Sequence, residues 1–318
     1  MFTVTFIKKN GFDIVALNDT LNQTTAEIIP GCGAMLHAFS GTTADGSVNV
    51  IDHYNNYADY KNNLEAQGFK SCKLSPFVCR LAQASYSFAQ KKYTVQKFLL
   101  QSSAIHGLIY DAPFQLTHHW SNTNEAGAIM QYQYNSTDAG YPFVYTCTVT
   151  YILKNGNALT ITTIIKNNDK GLLPVQDGWH PYFSFGRSIN DLQMEFQSKE
   201  MVEFDSGLVP TGKLIPYEEF GSLKKIGTTQ LDNCFTLNFA ECQPMCVLRD
   251  VTKKIQVEIH PDISYPYLQI YTPPHRNSIA IENLSGAPDA FNNGMGVKIL
   301  TPGESASFTT VYKITSLS

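Results

Sequence analysis

The sequence predicts an all-β protein, a sandwich of many antiparallel strands. Apolar and β-branched residues alternate with polar ones in segment after segment. Clusters of Asn, Gly, Pro and Ser punctuate them roughly every ten residues, the spacing of sandwich turns. Helical periodicity is almost absent.

Taken in order, residues 1–10 alternate like a strand and lack the basic-then-apolar pattern of a signal peptide. Residues 59–67 form the best short-helix candidate. Residues 143–153 are rich in β-branched and aromatic side chains and run into Asn155-Gly156, a strong hairpin signal. Residues 158–166 read as the return strand. Residues 254–260, 267–272 and 307–315 read as further strands. Pro302-Gly303-Glu304 reads as a turn before the last of them. No Pro/Gly/Ser-rich linker and no repeat of fixed period divides the chain, so residues 1–318 are expected to form one domain.

Bulk properties narrow the function. The 318 residues are 43% hydrophobic and 16% charged, with net charge −4. Such a chain is globular and has ample core. Lysines and arginines are scattered, which argues against nucleic acid as a partner. Apolar runs are far too short to span a membrane. Seven cysteines show no CxxC pair and no finger spacing, so free thiols in a reducing cytoplasm are expected. His118 and His119 would point to opposite faces of a strand, a poor metal pair. No metal and no cofactor is expected. The expected assembly is a monomer or homodimer.

In a strand-built fold, site residues come from distant segments. Polar residues inside apolar or aromatic windows are therefore the candidates. His180 lies in Gln176-Asp177-Gly178-Trp179-His180-Pro181-Tyr182-Phe183. The proline fixes an extended backbone at His180. The aromatics offer flat faces to a sugar ring, and the imidazole is a potential general acid. Arg80 follows an apolar run and could serve as an ion-pair member or a planar donor. His106 precedes Gly107, which would allow a ligand close to the backbone. Asp232 heads Asn233-Cys234-Phe235, a position that a turn acid also fits. Gln269 shares a strand face with Tyr267 and Tyr271. Glu282 ends the apolar run Ile279-Ala280-Ile281, where desolvation would raise its pKa toward that of a useful base. Each window alone fits a structural role as well as a functional one.

As an ordered set, Arg80, His106-Gly107-Leu108, His180-Pro181-Tyr182-Phe183, Asp232-Asn233-Cys234-Phe235 and Glu282 resemble the aldose 1-epimerase (galactose mutarotase) family. The similarity extends from Ile28-Ile29-Pro30-Gly31-Cys32-Gly33-Ala34 to Pro302-Gly303-Glu304. The resemblance implies a many-stranded antiparallel β-supersandwich with a sugar cleft. It implies His180 as general acid and Glu282 as general base, with Arg80, His106, Asp232 and Gln269 holding sugar hydroxyls. The chain departs from the usual pattern in two places. The asparagine-rich stretch before the acid is here Leu173-Pro174-Val175-Gln176-Asp177-Gly178-Trp179. Arg80 lacks the usual preceding glycine and a second arginine after it. Both departures bear on sugar preference more than on chemistry.

Anomer exchange opens and recloses a pyranose. One proton goes to the ring oxygen and another leaves the C1 hydroxyl, so two groups of different protonation state are expected to flank one ring. Two alternatives stand beside a free-aldose epimerase. One is a hexose-phosphate 1-epimerase, which would need clustered cations. The other is a non-catalytic carbohydrate-binding module, which would lack one proton carrier. Among the four arginines, Arg249 precedes Asp250 and reads as a turn ion pair. Arg276, near both Gln269 and Glu282 in sequence, is the one credible second cation.

Overall fold

The computed structural model describes residues 1–43 and 46–317. The Asn155-Gly156 signal yields the expected hairpin. Strands Val144–Lys154 and Ala158–Asn167 pair antiparallel along their length. Gly156 and Asn157 take the positive φ values, 81° and 57°, that the tight turn requires. Along Val144–Lys154 every second residue is buried, the pattern of a sheet with one face on the core.

This hairpin belongs to a nine-stranded antiparallel sheet. The C-terminal strand Ser305–Ser316 sits inside that sheet, between Ala158–Asn167 and Ile255–Pro261. A second sheet of eight strands carries Ser198–Phe204, Asp232–Leu237, Tyr267–Tyr271, Ile279–Leu284 and Gly178–His180 in that spatial order. A five-stranded meander opens the chain, from Phe2–Lys9 to Gly46–Asn49. Side chains of all three sheets share one apolar core, for example Leu17, Val149, Leu153, Phe235, Leu268 and Ile281. The architecture is therefore the all-β supersandwich expected from the sequence.

The expected helix is present but displaced. It spans Tyr57–Asn63, because Asn56 caps it by accepting from the Asp59 amide at 2.8 Å. The chain then turns, with Gly68 at φ 74°. Arg249 does not pair with Asp250. The two are successive residues of the strand Cys246–Asp250 and so face opposite ways. Arg249 donates to Gln256 at 2.8 Å, while buried Asp250 meets Arg187 at 3.3 Å.

One feature of the eight-stranded sheet positions the site. Ile279–Leu284 is buried throughout and lies centrally. On one side Glu282 opposes Gln269, which opposes Cys234 on the next strand. On the other side Gly178 opposes Leu284 and Tyr182 opposes Ala280. That register brings His180, midway between them, abreast of Glu282. Directly opposed residues share a face, so His180, Glu282, Gln269 and Cys234 form one row across four strands.

Candidate active site

His180, Glu282 and Gln269 of this row form the floor of a cavity of about 240 Å³. All six residues singled out in the sequence line it: Arg80, His106, His180, Asp232, Gln269 and Glu282. They come from segments up to about two hundred residues apart, and the sheet register gathers four of them.

His180 Nε2 lies 3.3 Å from Glu282 Oε1. The two groups thus stand side by side and do not flank a ring from opposite sides. The cause is their opposed position on neighbouring strands, whose spacing is only about 4.8 Å. This arrangement still suits the chemistry. The ring oxygen and the anomeric hydroxyl are both bonded to C1, so two adjacent protein groups can serve two adjacent oxygens.

Burial sets the protonation of the pair. Desolvation pushes the His180 imidazole down to about 4. It pushes the Glu282 carboxyl well above the usual carboxylate range, and the nearby Asp232 charge pushes it further. Between those limits the pair holds one proton, which both shifts favour on the Glu282 carboxyl and which the 3.3 Å contact allows to pass to Nε2. The Cys79 thiol points at Glu282 Oε2 from 3.9 Å. Burial keeps that thiol protonated, so it acts as a weak donor to the carboxyl.

The rest of the cavity wall is polar and preset. Gln269 donates to Asp232 Oδ1 at 2.9 Å, which leaves its buried Oε1 unpartnered. Burial raises the Asp232 carboxyl against the pull of the Arg80 guanidinium and the Gln269 amide. The His106 ring stands edge-on to His180, with centroids 4.8 Å apart and planes at 88°. Burial, together with His180 and Arg80, pulls its pKa well down, and its buried Nδ1 is also unpartnered. Arg80 opens a two-residue strand opposite Ile105 in a small three-stranded sheet that walls the cavity. Cys79 and His106, joined by the His106 N–H to Cys79 carbonyl bond of 2.8 Å, both hold positive φ, 47° and 63°. Such left-handed backbone is uncommon outside glycine and clusters at functional sites.

Two local expectations require revision. Gly107 does not make room for a ligand. It makes room for the Ser75 carbonyl, which would lie 2.2 Å from any Cβ there. Of the three aromatics around His180, only Tyr182 lines the cavity. It stacks on His180 at 5.1 Å. Trp179 alternates to the opposite face, and both it and Phe183 are buried in the core.

The sequence reading missed Cys79, Phe69, Tyr271 and the residues behind the floor. There Lys73 and Asp177 form an ion pair of 2.5 Å with no exposure to solvent. Lys73 also donates to the Gly178 carbonyl at 2.9 Å and sits 4.4 Å over the Trp179 ring. Tyr265 donates to Asp177 at 2.6 Å. The pair thereby fixes the strand that presents His180. A lysine two residues before Ser75-Pro76 carried no sequence signal of this role.

The family model for aldose 1-epimerase matches residues 13–313. The uncharacterized protein YihR of Escherichia coli K12 is 25% identical over 240 residues, which are 73% of this chain and 74% of that one. A galactose mutarotase-like protein from Clostridium acetobutylicum superposes with a TM-score of 0.87 at 17% identity, covering 99% of both chains. The galactose 1-epimerase of Lactobacillus acidophilus superposes with a TM-score of 0.83 at 17% identity over the whole of both chains.

Proposed function

Because the chain belongs to the aldose 1-epimerase family, we propose that it interconverts the α and β anomers of a free aldose, with His180 and Glu282 moving the two protons. The observation that carries this reading is the buried pair at 3.3 Å on the floor of a cavity of ring size. One singly protonated pair contains both a proton donor and a proton acceptor. In the forward direction the shared proton passes from Glu282 to His180 Nε2 across their 3.3 Å contact, and the imidazolium protonates the ring oxygen while the Glu282 carboxylate takes the C1 hydroxyl proton. The open-chain aldehyde rotates about C1–C2 and recloses on its other face. On closure Glu282 gives its proton to the aldehyde oxygen and His180 takes the proton of the attacking hydroxyl, so the same machinery serves both directions.

Around the reacting carbon, the Gln269 Oε1 and His106 Nδ1 atoms are acceptors that lack a protein partner, and sugar hydroxyls can fill them. Arg80 supplies donors to hydroxyls and to developing oxyanion charge. Asp232 orients Gln269. Tyr182 provides an apolar face beside His180. No cofactor enters any step. All six residues belong to one chain, so a monomer suffices, and a homodimer would carry two complete sites. We read residues 1–318 as one catalytic domain. All seven cysteines are unpaired, which favours a cytoplasmic setting.

A free sugar is preferred to a hexose phosphate because the second cation is committed elsewhere. Arg276 donates to Asn190 Oδ1 at 2.7 Å, to the Gly227 carbonyl at 2.8 Å and to the Thr229 carbonyl at 2.9 Å. Among the described residues lining the cavity, Arg80 is the one lysine or arginine. Phosphate sites usually cluster such groups. The test is polarimetry of freshly dissolved α-anomers of glucose, galactose and glucose 6-phosphate. Acceleration over the spontaneous rate, with the free sugars favoured, is expected. A kcat/KM about tenfold higher for the phosphate would reverse the substrate assignment. No acceleration of any sugar would sink the activity.

A further inference from the structure

The roles of His180 and Glu282 orient the whole sugar. They put the ring oxygen at His180 and the C1 hydroxyl at Glu282. In the chair of a D-hexose the equatorial C5–C6 bond lies parallel to the C1–O5 bond and points in the sense from C1 to O5. The equatorial C2 hydroxyl lies parallel to the same bond in the opposite sense. Along the floor of the cavity, the C2 hydroxyl therefore heads from Glu282 toward Gln269, its neighbour in the row. The C5 substituent heads the other way, past His180.

The two directions meet different surfaces. Toward Gln269 the surface is polar, with a buried Oε1 that lacks a partner and an amide held by Asp232. Past His180 it is apolar. The row continues there to Cys72, which opposes His180 on the strand Cys72–Leu74. Cys72 is buried together with Phe69 and Ile105, and Phe98 and Leu100 pack against them. Phe69, Phe98, Leu100 and Ile105 all line the catalytic cavity. The Phe69 ring lies 4.8 Å from both the Phe98 and the His106 rings, and His106 lies 4.8 Å from His180. This chain of rings sets the apolar wall directly beyond the acid. We propose that Phe69, Phe98, Leu100 and Ile105 are specificity-determining residues that receive the C5 substituent, and that the preferred substrate is a 6-deoxyhexose. Such a sugar carries a methyl group where glucose and galactose carry hydroxymethyl. The inference rests on the epimerase reading and names the substrate class for the same site.

The balance of burial and hydrogen bonding favours the methyl group. A C6 hydroxyl pressed against this wall gives up its bonds to water and needs a partner in exchange. The buried His106 Nδ1 is unpartnered, but a neutral imidazole nitrogen accepts from one hydroxyl only. The C4 hydroxyl, on the carbon next to C5, competes for it. Glu65 also lines the cavity, but it is exposed, so its carboxylate keeps its water. A methyl group makes no such demand and gains by leaving water. A pentose, with hydrogen at that position, leaves the wall without contact and forfeits the gain. The same wall disfavours a 6-phosphate, in line with the free-sugar reading.

The experiment compares sugars that match at C1 to C4 and differ only at C5. One series is 6-deoxyglucose, glucose and xylose, and the other is D-fucose, galactose and L-arabinose. Exchange NMR gives kcat/KM for each. Titration calorimetry gives the affinity of the corresponding 1,5-anhydroalditols, which lack the anomeric hydroxyl and cannot open. In at least one series the 6-deoxy compound is expected to exceed both the hexose and the pentose by about tenfold, the scale on which an apolar pocket senses one carbon. Leu100 is half-buried, so Leu100→Asn puts a polar group on the wall at little risk to folding. That variant should bring the hexose within about threefold of the 6-deoxy compound. A hexose or pentose that equals the 6-deoxy compound in both series would overturn the assignment. So would a preference that Leu100→Asn leaves unchanged. Because the anhydro compounds never react, their rank order can fail while sugars are still anomerised. It can equally hold while the epimerase reading fails.

Discussion

Replacing Asp177 with asparagine removes one charge from an ion pair that no water reaches. Asn keeps the shape and can still accept from Tyr265, so the change isolates the carboxylate's attraction for Lys73. At 2.5 Å and an effective dielectric constant of about 20, that attraction is roughly 6–7 kcal/mol. Desolvation of both ions offsets part of it, and burial indeed drives the Asp177 carboxyl upward against the pull of Lys73 and Tyr265. The quantity measured is the cost of leaving Lys73 charged and unpaired, about 3–5 kcal/mol for buried pairs. Against a typical total stability of about 5–15 kcal/mol the loss is large. Urea unfolding should show a much lower midpoint with an unchanged slope. The paired apolar replacement, Lys73→Met with Asp177→Leu, should recover most of the loss. Asp177→Asn should also lower kcat, because Lys73 holds the Gly178 carbonyl two residues from His180. A stability within about 1 kcal/mol of the parent would refute the reasoning and mean that the Asp177 carboxyl is already neutral in the folded protein.

Further outcomes follow from the same geometry. The active form is the singly protonated His180–Glu282 pair, so anomerisation should hold a plateau between the lowered His180 titration and the raised Glu282 titration. As pH falls through about 4, His180 takes a second proton while the raised Glu282 keeps its own, so the base is lost and the rate falls. An alkaline limb should appear only at the raised pKa of Glu282, where the pair loses its last proton. A single titration near 6.5, the ordinary histidine value, would show that burial does not govern the pair. Arg80→Ala and Asp232→Ala should chiefly raise KM, with a smaller fall in kcat, and an unchanged KM in both would remove them from the sugar site. Gly107→Ala should destabilise by more than about 2 kcal/mol, because its φ is +77° and the new Cβ would sit 2.2 Å from the Ser75 carbonyl oxygen. Chemical denaturation indistinguishable from the parent would mean the loop yields without strain.

The strand content was legible because period-two alternation is local. The hairpin at Asn155-Gly156 and the strand Tyr267–Tyr271 follow from a few adjacent residues each. The six site candidates were found the same way, as polar residues in apolar windows. Their mutual arrangement was not legible. It depends on which strands become neighbours and in what register, and the pairing of Gln269 with Glu282 and the alignment of His180 beside them are non-local. For that reason the expectation of two groups flanking a ring gave way to a side-by-side pair. Trp179 was misjudged for a related cause. Composition marks it as a stacking aromatic, but alternation along Gly178–His180 sends it to the core, over Lys73. Lys73 itself, a charged residue at a fully buried position, runs against the usual exposure of lysine. Only the fold reveals the Asp177 partner that makes it tolerable.

The central claim is that Glu282 exchanges a proton with the sugar while His180 exchanges the other. Its most direct test is exchange NMR of the α and β anomeric protons with parent protein and with Glu282→Gln at equal concentration, alongside calorimetric binding of the matching 1,5-anhydroalditol. The amide keeps the shape of the side chain and cannot accept the proton. The account predicts exchange slowed by about a hundredfold or more, with binding of the unreactive analogue held within a few-fold of the parent. Exchange in Glu282→Gln within a few-fold of the parent would contradict it.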